Sequence, residues 1–195
     1  MTADVRIVTS GDFGSSVADH LRALLTPVGG PVRIAREPVS HPPAFLAGAG
    51  LCVRAAWRDV RAEFEAFASA ARSARVPWLP VTLRHPYIRI GPAVVFGLGP
   101  CHGCYLTRAG QHDQAADAVT AGIEQALTAD PHLGVRGIPP HQSMLAAGLA
   151  LSLAREMEGG RTGTLMTIDC RTDEVASWRV VPAEGCPDCD EGAGR

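Results

Sequence analysis

The chain has 195 residues, 20 acidic and 18 basic side chains and a formal charge of −2, which allows a sizeable core and excludes a strongly basic nucleic-acid binder. With 46% hydrophobic and 19% charged residues, it is too apolar and too weakly charged for a disordered chain. All 18 basic residues are arginine, so mechanisms that need a lysine, such as a P-loop ATPase, a Schiff-base enzyme or a lysine-dependent adenylating site, are excluded for this chain.

The first ten residues alternate in polarity and lack the apolar run of a signal peptide. The longest apolar segment, Met144 to Ala154, is interrupted by Gly148 and Ser152 and is too short to span a bilayer. A cytoplasmic protein without a membrane or nucleic-acid partner is the expectation. Val5 to Thr9 reads as a strand, followed by a glycine turn at Gly11 and Gly14, then a helix carrying Val17, Leu21, Leu24 and Leu25 at helical spacing. Val32 to Ala35 predicts a second strand, His41-Pro42-Pro43 a rigid turn, and Leu51-Cys52-Val53 a third strand ending near Trp57. Arg58 to Arg75 predicts a helix with Val60, Phe64, Phe67 and Ala71 on one face, stopped by Pro77. Trp78 to Leu83 and Tyr87 to Ile90 read as strands around His85-Pro86, and Ala93 to Phe96 continues the β-rich stretch. This alternation predicts a parallel, Rossmann-like α/β sheet in the proximal half.

Gly97 to Pro100 then reads as a loop leading into Cys101-His102-Gly103-Cys104. A helix is predicted from about Asp113 to Leu127, a Pro/Gly-rich connection from Asp130 to Pro140, and a helix rich in small residues from Gln142 to Glu156. Thr164 to Asp169 and Val175 to Val181 read as a C-terminal β-hairpin turning at Arg171 to Glu174, and Cys186-Pro187-Asp188-Cys189 precedes a polar tail.

The six cysteines divide unequally. Cys101, Cys104, Cys186 and Cys189 form two Cys-x-x-Cys pairs, each able to aim both sulfurs at one centre. Two such knuckles give the closed tetrathiolate of a structural zinc site, clipping the C-terminal segment to a mid-chain loop. A thioredoxin-like redox motif, a pair of disulfides and chance are the competing readings. A second copy at a polar C-terminus does not suit the first, and a reducing compartment does not suit the second. Cys52 and Cys170 read as buried bystanders.

The remaining features carry less. A dinucleotide site wants G-x-G-x-x-G, whereas this turn has only Gly11 and Gly14, with Asp12 placed to repel phosphate. Gly11 and Gly14 are therefore a vestigial nucleotide turn at most, with Glu37 near the position that would meet a ribose; serving only the strand-to-helix turn is the plainer alternative. His20, His41, His85, His112, His132 and His141 are scattered, and His102 would compete with four thiolates that already fill a zinc shell. Arg84 and Arg89 flank a turn and could meet an anion or simply solvent. Trp57, Trp78 and Trp178 read as core or interface anchors. No catalytic constellation emerges.

The order of these elements resembles the E1-like (ThiF-like) superfamily, and more closely the E1-like partner proteins of YcaO cyclodehydratases, which take part in thiazole and oxazole formation on ribosomal peptides. The match is carried by Arg89-Ile90-Gly91-Pro92, by Gly99-Pro100-Cys101-His102-Gly103-Cys104-Tyr105-Leu106-Thr107-Arg108, by Pro140 to Leu151 and by Ile168 to Cys189. The resemblance implies one E1-like α/β domain over residues 1–190, with a Rossmann-like half at 1–96, a zinc-clipped half at 97–190 and a tail at 191–195. It implies a YcaO-type cyclodehydratase and a precursor peptide as partners, and a homodimer by analogy. Family members often carry an N-terminal peptide clamp not seen in this sequence, which leaves leader binding to a separate protein. Active E1-type adenylating enzymes use a lysine and a fuller glycine set, so the expectation is a non-adenylating scaffold or activator, with structural zinc and without ATP. An E1-like adenylyltransferase using arginines, and a Cys-x-x-Cys redox protein, are the alternatives.

Overall fold

The computed structural model describes residues 4–37, 42–112 and 117–190. The apolar run Val5–Ser10 forms β1, whose side chains are almost all buried. Helix α1 (Gly11–Leu25) starts immediately after it, so the expected glycine turn is itself the first turn of the helix. Phe13, Val17, Leu21 and Leu25 recur every four residues and, with Ala18, form its buried stripe. A 3-10 turn at Thr26–Val28 and Gly29 at φ +79° end the helix and lead to β2 (Val32–Arg36).

In place of the rigid turn expected at residues 41–43, Pro42 and Pro43 open a short helix, α2 (Pro42–Leu46); His41 lies outside the described residues. At a helix start a proline loses no hydrogen bond and its fixed φ suits the helix. Then come β3 (Leu51–Ala56), α3 (Arg61–Ser73) and β4 (Trp78–Arg84). The remaining strands are β5 (Tyr87–Ile90), β6 (Thr164–Asp169) and β7 (Val175–Arg179).

These seven strands form one sheet in the order β2-β1-β3-β4-β5-β6-β7. The first four are parallel, with Ile7 of β1 opposite Ile34 of β2 and Val53 of β3. The last three join antiparallel. Ala93 to Phe96, expected as a strand, contributes only one bridge, between Val94 and Trp78. Gly91, at φ +92°, turns the chain there, and Pro92 has no N–H for a ladder.

The distal half differs more from expectation. Cys101 leads directly into a helix, α4 (His102–His112), where the sequence reads as a loop and knuckle. The next helix, α5 (Asp117–Ala129), begins after residues 113–116, which lie outside the described residues. Helix α6 (Pro140–Glu158) ends at Gly159, and a short α7 (Pro187–Asp190) carries the second cysteine pair. The expected tail at 191–195 also lies outside the described residues. Among the described residues no helix is long and apolar enough to cross a membrane.

Strand alternation gives the sheet two different faces. Leu51, Val53, Ala55, Leu79, Val81, Leu83, Ile88 and Ile90 pack with α1 and α6 in one core. On the other face Val8, Cys52, Ala56 and Trp78 pack with Leu46 of α2 and with Phe64, Phe67 and Ala71 of α3. The same face also takes Arg6 from β1, Arg54 from β3 and Arg89 from β5, all buried.

Candidate metal centre and the adjoining crevice

The fold brings both cysteine pairs to one point. Cys101 precedes α4 and Cys104 lies in its first turn; Cys186 precedes α7 and Cys189 lies within it. The four sulfurs all lie within 4.8 Å of one another. Cys101 Sγ is 3.8 Å from Cys104 Sγ and 3.5 Å from Cys186 Sγ, and Cys104 Sγ is 3.4 Å from Cys189 Sγ. A tetrahedral zinc with Zn–S bonds of about 2.3 Å has sulfur–sulfur edges of about 3.8 Å, so this cluster is close to the size that holds such an ion. Disulfide sulfurs sit about 2 Å apart, and all six cysteines are free thiols here.

The surroundings prepare the thiols unequally. Burial works against ionisation of Cys104, but the Ala183 N–H at 3.2 Å and the neighbouring thiols outweigh it and hold its pKa below the usual thiol value. Burial raises Cys101, and burial pushes Cys189 up to about 11. Without a cation, then, Cys101 and Cys189 favour the protonated form. An ion pair between Arg72 of α3 and Asp188 of α7 fastens the second knuckle to the helix layer.

His102 is not a fifth candidate ligand. Its ring packs among Phe64, Trp78 and Tyr105 at centroid distances of 6.0, 5.3 and 5.7 Å. Burial, with the nearby Arg89 charge, lowers its pKa to about 3, so it stays neutral. Behind it, two guanidiniums lie against the Phe64 ring, Arg54 at 4.5 Å and Arg89 at 5.6 Å from its centroid. Arg89, expected at a turn and open to an anion or solvent, is 4% exposed; it donates to Asp59 at 3.1 Å and to the Gly91 carbonyl at 3.0 Å. Arg54 bonds Glu37 at 2.9 Å and Glu63 at 3.0 Å, and Arg58 bonds Glu63 at 3.0 Å. A continuous aromatic and ionic chain thus runs from the metal centre to the carboxyl ends of β1, β2 and β3.

That end of a parallel sheet is where a Rossmann-type fold takes its nucleotide. The side chains here differ from a glycine-rich phosphate cradle. Gly11, at φ +66°, faces Trp57, and a Cβ on it would lie 2.3 Å from the indole. Gly14 lets α1 approach β3, where a Cβ would lie 2.2 Å from the Ala55 carbonyl oxygen. Asp12 sits in the first turn of α1, where its charge opposes a phosphate. Glu37, the acid at the ribose position, is engaged by Arg54, and Arg58 also donates to the carbonyls of Leu127 and Asp130.

Other sequence candidates disperse. Among the described residues none of His20, His85, His132 and His141 joins the thiol cluster; His141 instead pairs with Asp173 at 3.0 Å. Cys52 is fully buried, whereas Cys170 is half-buried rather than inaccessible. Trp78 is core, Trp57 half-buried in the crevice, and Trp178 is 59% exposed on the edge strand. The sequence reading missed Arg54, Asp59 and Glu63. The available signal was a lone arginine inside the apolar run of a parallel strand, where both faces are buried and a charge needs partners.

No protein-family model matches the chain, and no curated protein matches it by sequence. Solved structures do share its fold. The heterocyclase TruD superposes with a TM-score of 0.66 at 20% identity, over 95% of this chain and 27% of that one. A chain of the E. coli microcin synthetase McbBCD complex gives 0.64 at 16% identity, over 93% of this chain and 67% of that one. E. coli MccB gives 0.61 at 13% identity, over 96% and 66%. The chain therefore spans about a quarter of the length of the heterocyclase it matches and about two thirds of the other two. At these identities what is shared is the fold, an α/β architecture common to a heterocyclase, a microcin synthetase chain and MccB.

Proposed function

We propose that the chain is a non-adenylating, zinc-stabilised E1-like subunit that scaffolds or activates an azoline-forming, YcaO-type cyclodehydratase acting on a ribosomal precursor peptide. The observation that carries this reading is the closed four-thiol cluster joining α4 to α7 within a fold shared with a heterocyclase and a microcin synthetase chain. Four mutually close thiols complete a tetrahedral shell, which is the structural form of a zinc site and leaves no position for substrate. The crevice supports a chain that leaves ATP chemistry to its partner, because Arg54 and Arg58 are engaged by carboxylates and the adjoining helix N-terminus carries Asp12. The redox alternative is disfavoured by the clustering of all four sulfurs in place of two separate pairs.

Four measurements test this reading. Elemental analysis of the purified chain is expected to give about one zinc per chain with four thiols protected from alkylation. Because zinc must displace protons from Cys101 and Cys189, whose pKa values are raised, zinc is expected to bind more weakly as pH falls, with acid titration read by a chromogenic chelator. Co-expression with a YcaO-type cyclodehydratase is expected to yield a complex that dehydrates a Cys/Ser/Thr-rich peptide with ATP. The chain alone is expected to support no ATP–pyrophosphate exchange; peptide-dependent exchange by the isolated chain would overturn the non-adenylating assignment.

A further inference from the structure

Beside the Gly11–Asp12 turn, at the carboxyl ends of the parallel strands, lies a cavity of about 610 Å³. Val8, Trp57, Phe67 and Pro131 supply apolar wall, and Ala66, exposed on α3, stands at its rim. Apart from Ser10, its polar lining is a chain of ion pairs. Arg54 contacts Glu37 and Glu63, Glu63 contacts Arg58, and the two positive and two negative charges cancel. A charged ligand would upset the balance of these pairs and desolvate its own charge against the apolar wall, whereas an uncharged ligand leaves the pairs intact. Ser10 Oγ and Arg54 Nε, in the same lining, are buried without a hydrogen-bond partner among the described residues, which leaves polar capacity for a ring heteroatom.

We propose that this cavity binds an uncharged planar ring carried on a peptide and discriminates against nucleotide phosphates. An apolar wall formed in part by an indole and a phenyl ring favours a flat partner, and the neutral ionic base favours one without charge. Two sources share this chemistry: a five-membered azole already formed on a peptide, and the aromatic side chain of an unmodified peptide. The azole source rests on the proposed function, since azoline formation makes small neutral rings on a peptide; the choice of a neutral ring over a phosphate does not.

The test uses the intact, metal-loaded chain and three probes: 2-methylthiazole-4-carboxamide, N-acetyl-tryptophanamide and ATP, titrated by ligand-observed and amide NMR. Both neutral rings are expected to bind in competition with each other, and ATP is expected not to displace them. Tighter binding of the thiazole assigns the cavity to a modified peptide, and tighter binding of the indole assigns it to an unmodified side chain. Ala66→Trp, which fills the rim from an exposed helix position, is expected to weaken both by about tenfold or more while keeping the metal content and circular dichroism of the parent. Ala66→Leu replaces it if the larger side chain does not fold, with a smaller loss. ATP competing with the rings, ring binding unchanged in the rim variants, or no ring binding up to about 10 mM overturns the proposal. Complex formation with a cyclodehydratase is scored separately, so a failure of the ring site and a failure of the scaffold reading are told apart.

Discussion

The α1/α6 face of the sheet and the α2/α3/α4 face arise from the same strands by alternation, yet they bury their surface by different means. Toward α1 and α6 the strands present Val, Leu, Ile and Ala, and among the described residues none of the buried arginines lies in that core. Toward α3 they present Trp78, Val8 and Cys52 together with Arg6, Arg54 and Arg89, each of the three arginines held by a carboxylate. An apolar core gains from desolvation, whereas a buried ion pair must recover a desolvation cost of several kcal/mol per ion through geometry. The difference teaches where each face's tolerance lies. The first depends on volume and the second on keeping every partner of a connected set, which extends through His102 and Tyr105 to the metal centre.

The largest effect is expected where that set meets the thiols. Cys104→Ser, or chelation of the proposed zinc, removes the tie between α4 and the 183–189 segment. Structural zinc in small peptides supplies an apparent ~10–16 kcal/mol, so a fall in Tm of at least about 10 °C is expected by calorimetry. An unchanged Tm after complete chelation would show that the knuckle is not structural. Next comes Arg54→Ala, which leaves Glu37 without its buried partner and Glu63 with Arg58 alone, and is expected to cost about 3–5 kcal/mol in urea unfolding. Arg54→Met combined with Glu37→Gln and Glu63→Gln should recover part of that loss, because neither carboxylate is left charged and Arg58 still donates to the Leu127 and Asp130 carbonyls. If the triple variant is no more stable than Arg54→Ala, the ionic account of this face is wrong.

On the other face the corresponding change is Leu153→Ala, at a fully buried position of α6, expected to cost about 2–5 kcal/mol through the cavity it leaves. No compensating charge change should rescue it, which sharpens the contrast between the faces. Gly14→Ala on the same side is expected to cost about 1–3 kcal/mol, because its Cβ would lie 2.2 Å from the Ala55 carbonyl oxygen, a backbone atom held in β3. Chemical denaturation reads both, and a Gly14→Ala protein as stable as the parent would remove the close helix–strand approach as the reason for that glycine.

Sequence patterning carried the apolar face and much of the topology. The β-rich runs from Val5, Val32, Leu51 and Trp78, separated by helical or turn segments, imply the parallel half, and these segments do form β1 to β4. The spacing of Cys101, Cys104, Cys186 and Cys189 likewise anticipates the cluster. The arginine-bearing face was not legible, because an arginine's partners lie far along the chain: Glu37 precedes Arg54 by 17 positions and Asp59 precedes Arg89 by 30. Helix α4 was hidden for a related reason. Gly103 and Gly110 lower its local propensity, and its formation rests on burying Cys104 and Tyr105 beneath tertiary neighbours that no local window contains.

The smallest effect, and the finest probe of the arginine face, is the pH response of Glu37. Burial raises its pKa above the ordinary 4.5, and the nearby Arg54 charge offsets only part of that rise. A carboxyl whose folded pKa is raised binds its proton more tightly in the folded state than in the unfolded one. Its stabilising contribution is therefore complete below the unfolded value and is lost as pH rises through the folded value. Glu37→Gln, which cannot ionise, escapes that loss. The stability of the variant relative to the parent is thus expected to improve from pH 4 toward neutrality, measured by urea unfolding at matched ionic strength. The opposite slope, with the parent gaining on the variant as pH rises, would mean that attraction to Arg54 exceeds the desolvation cost. The chain of ion pairs would then be a net source of stability, and the two faces would differ in chemistry but not in the sign of what their buried groups contribute.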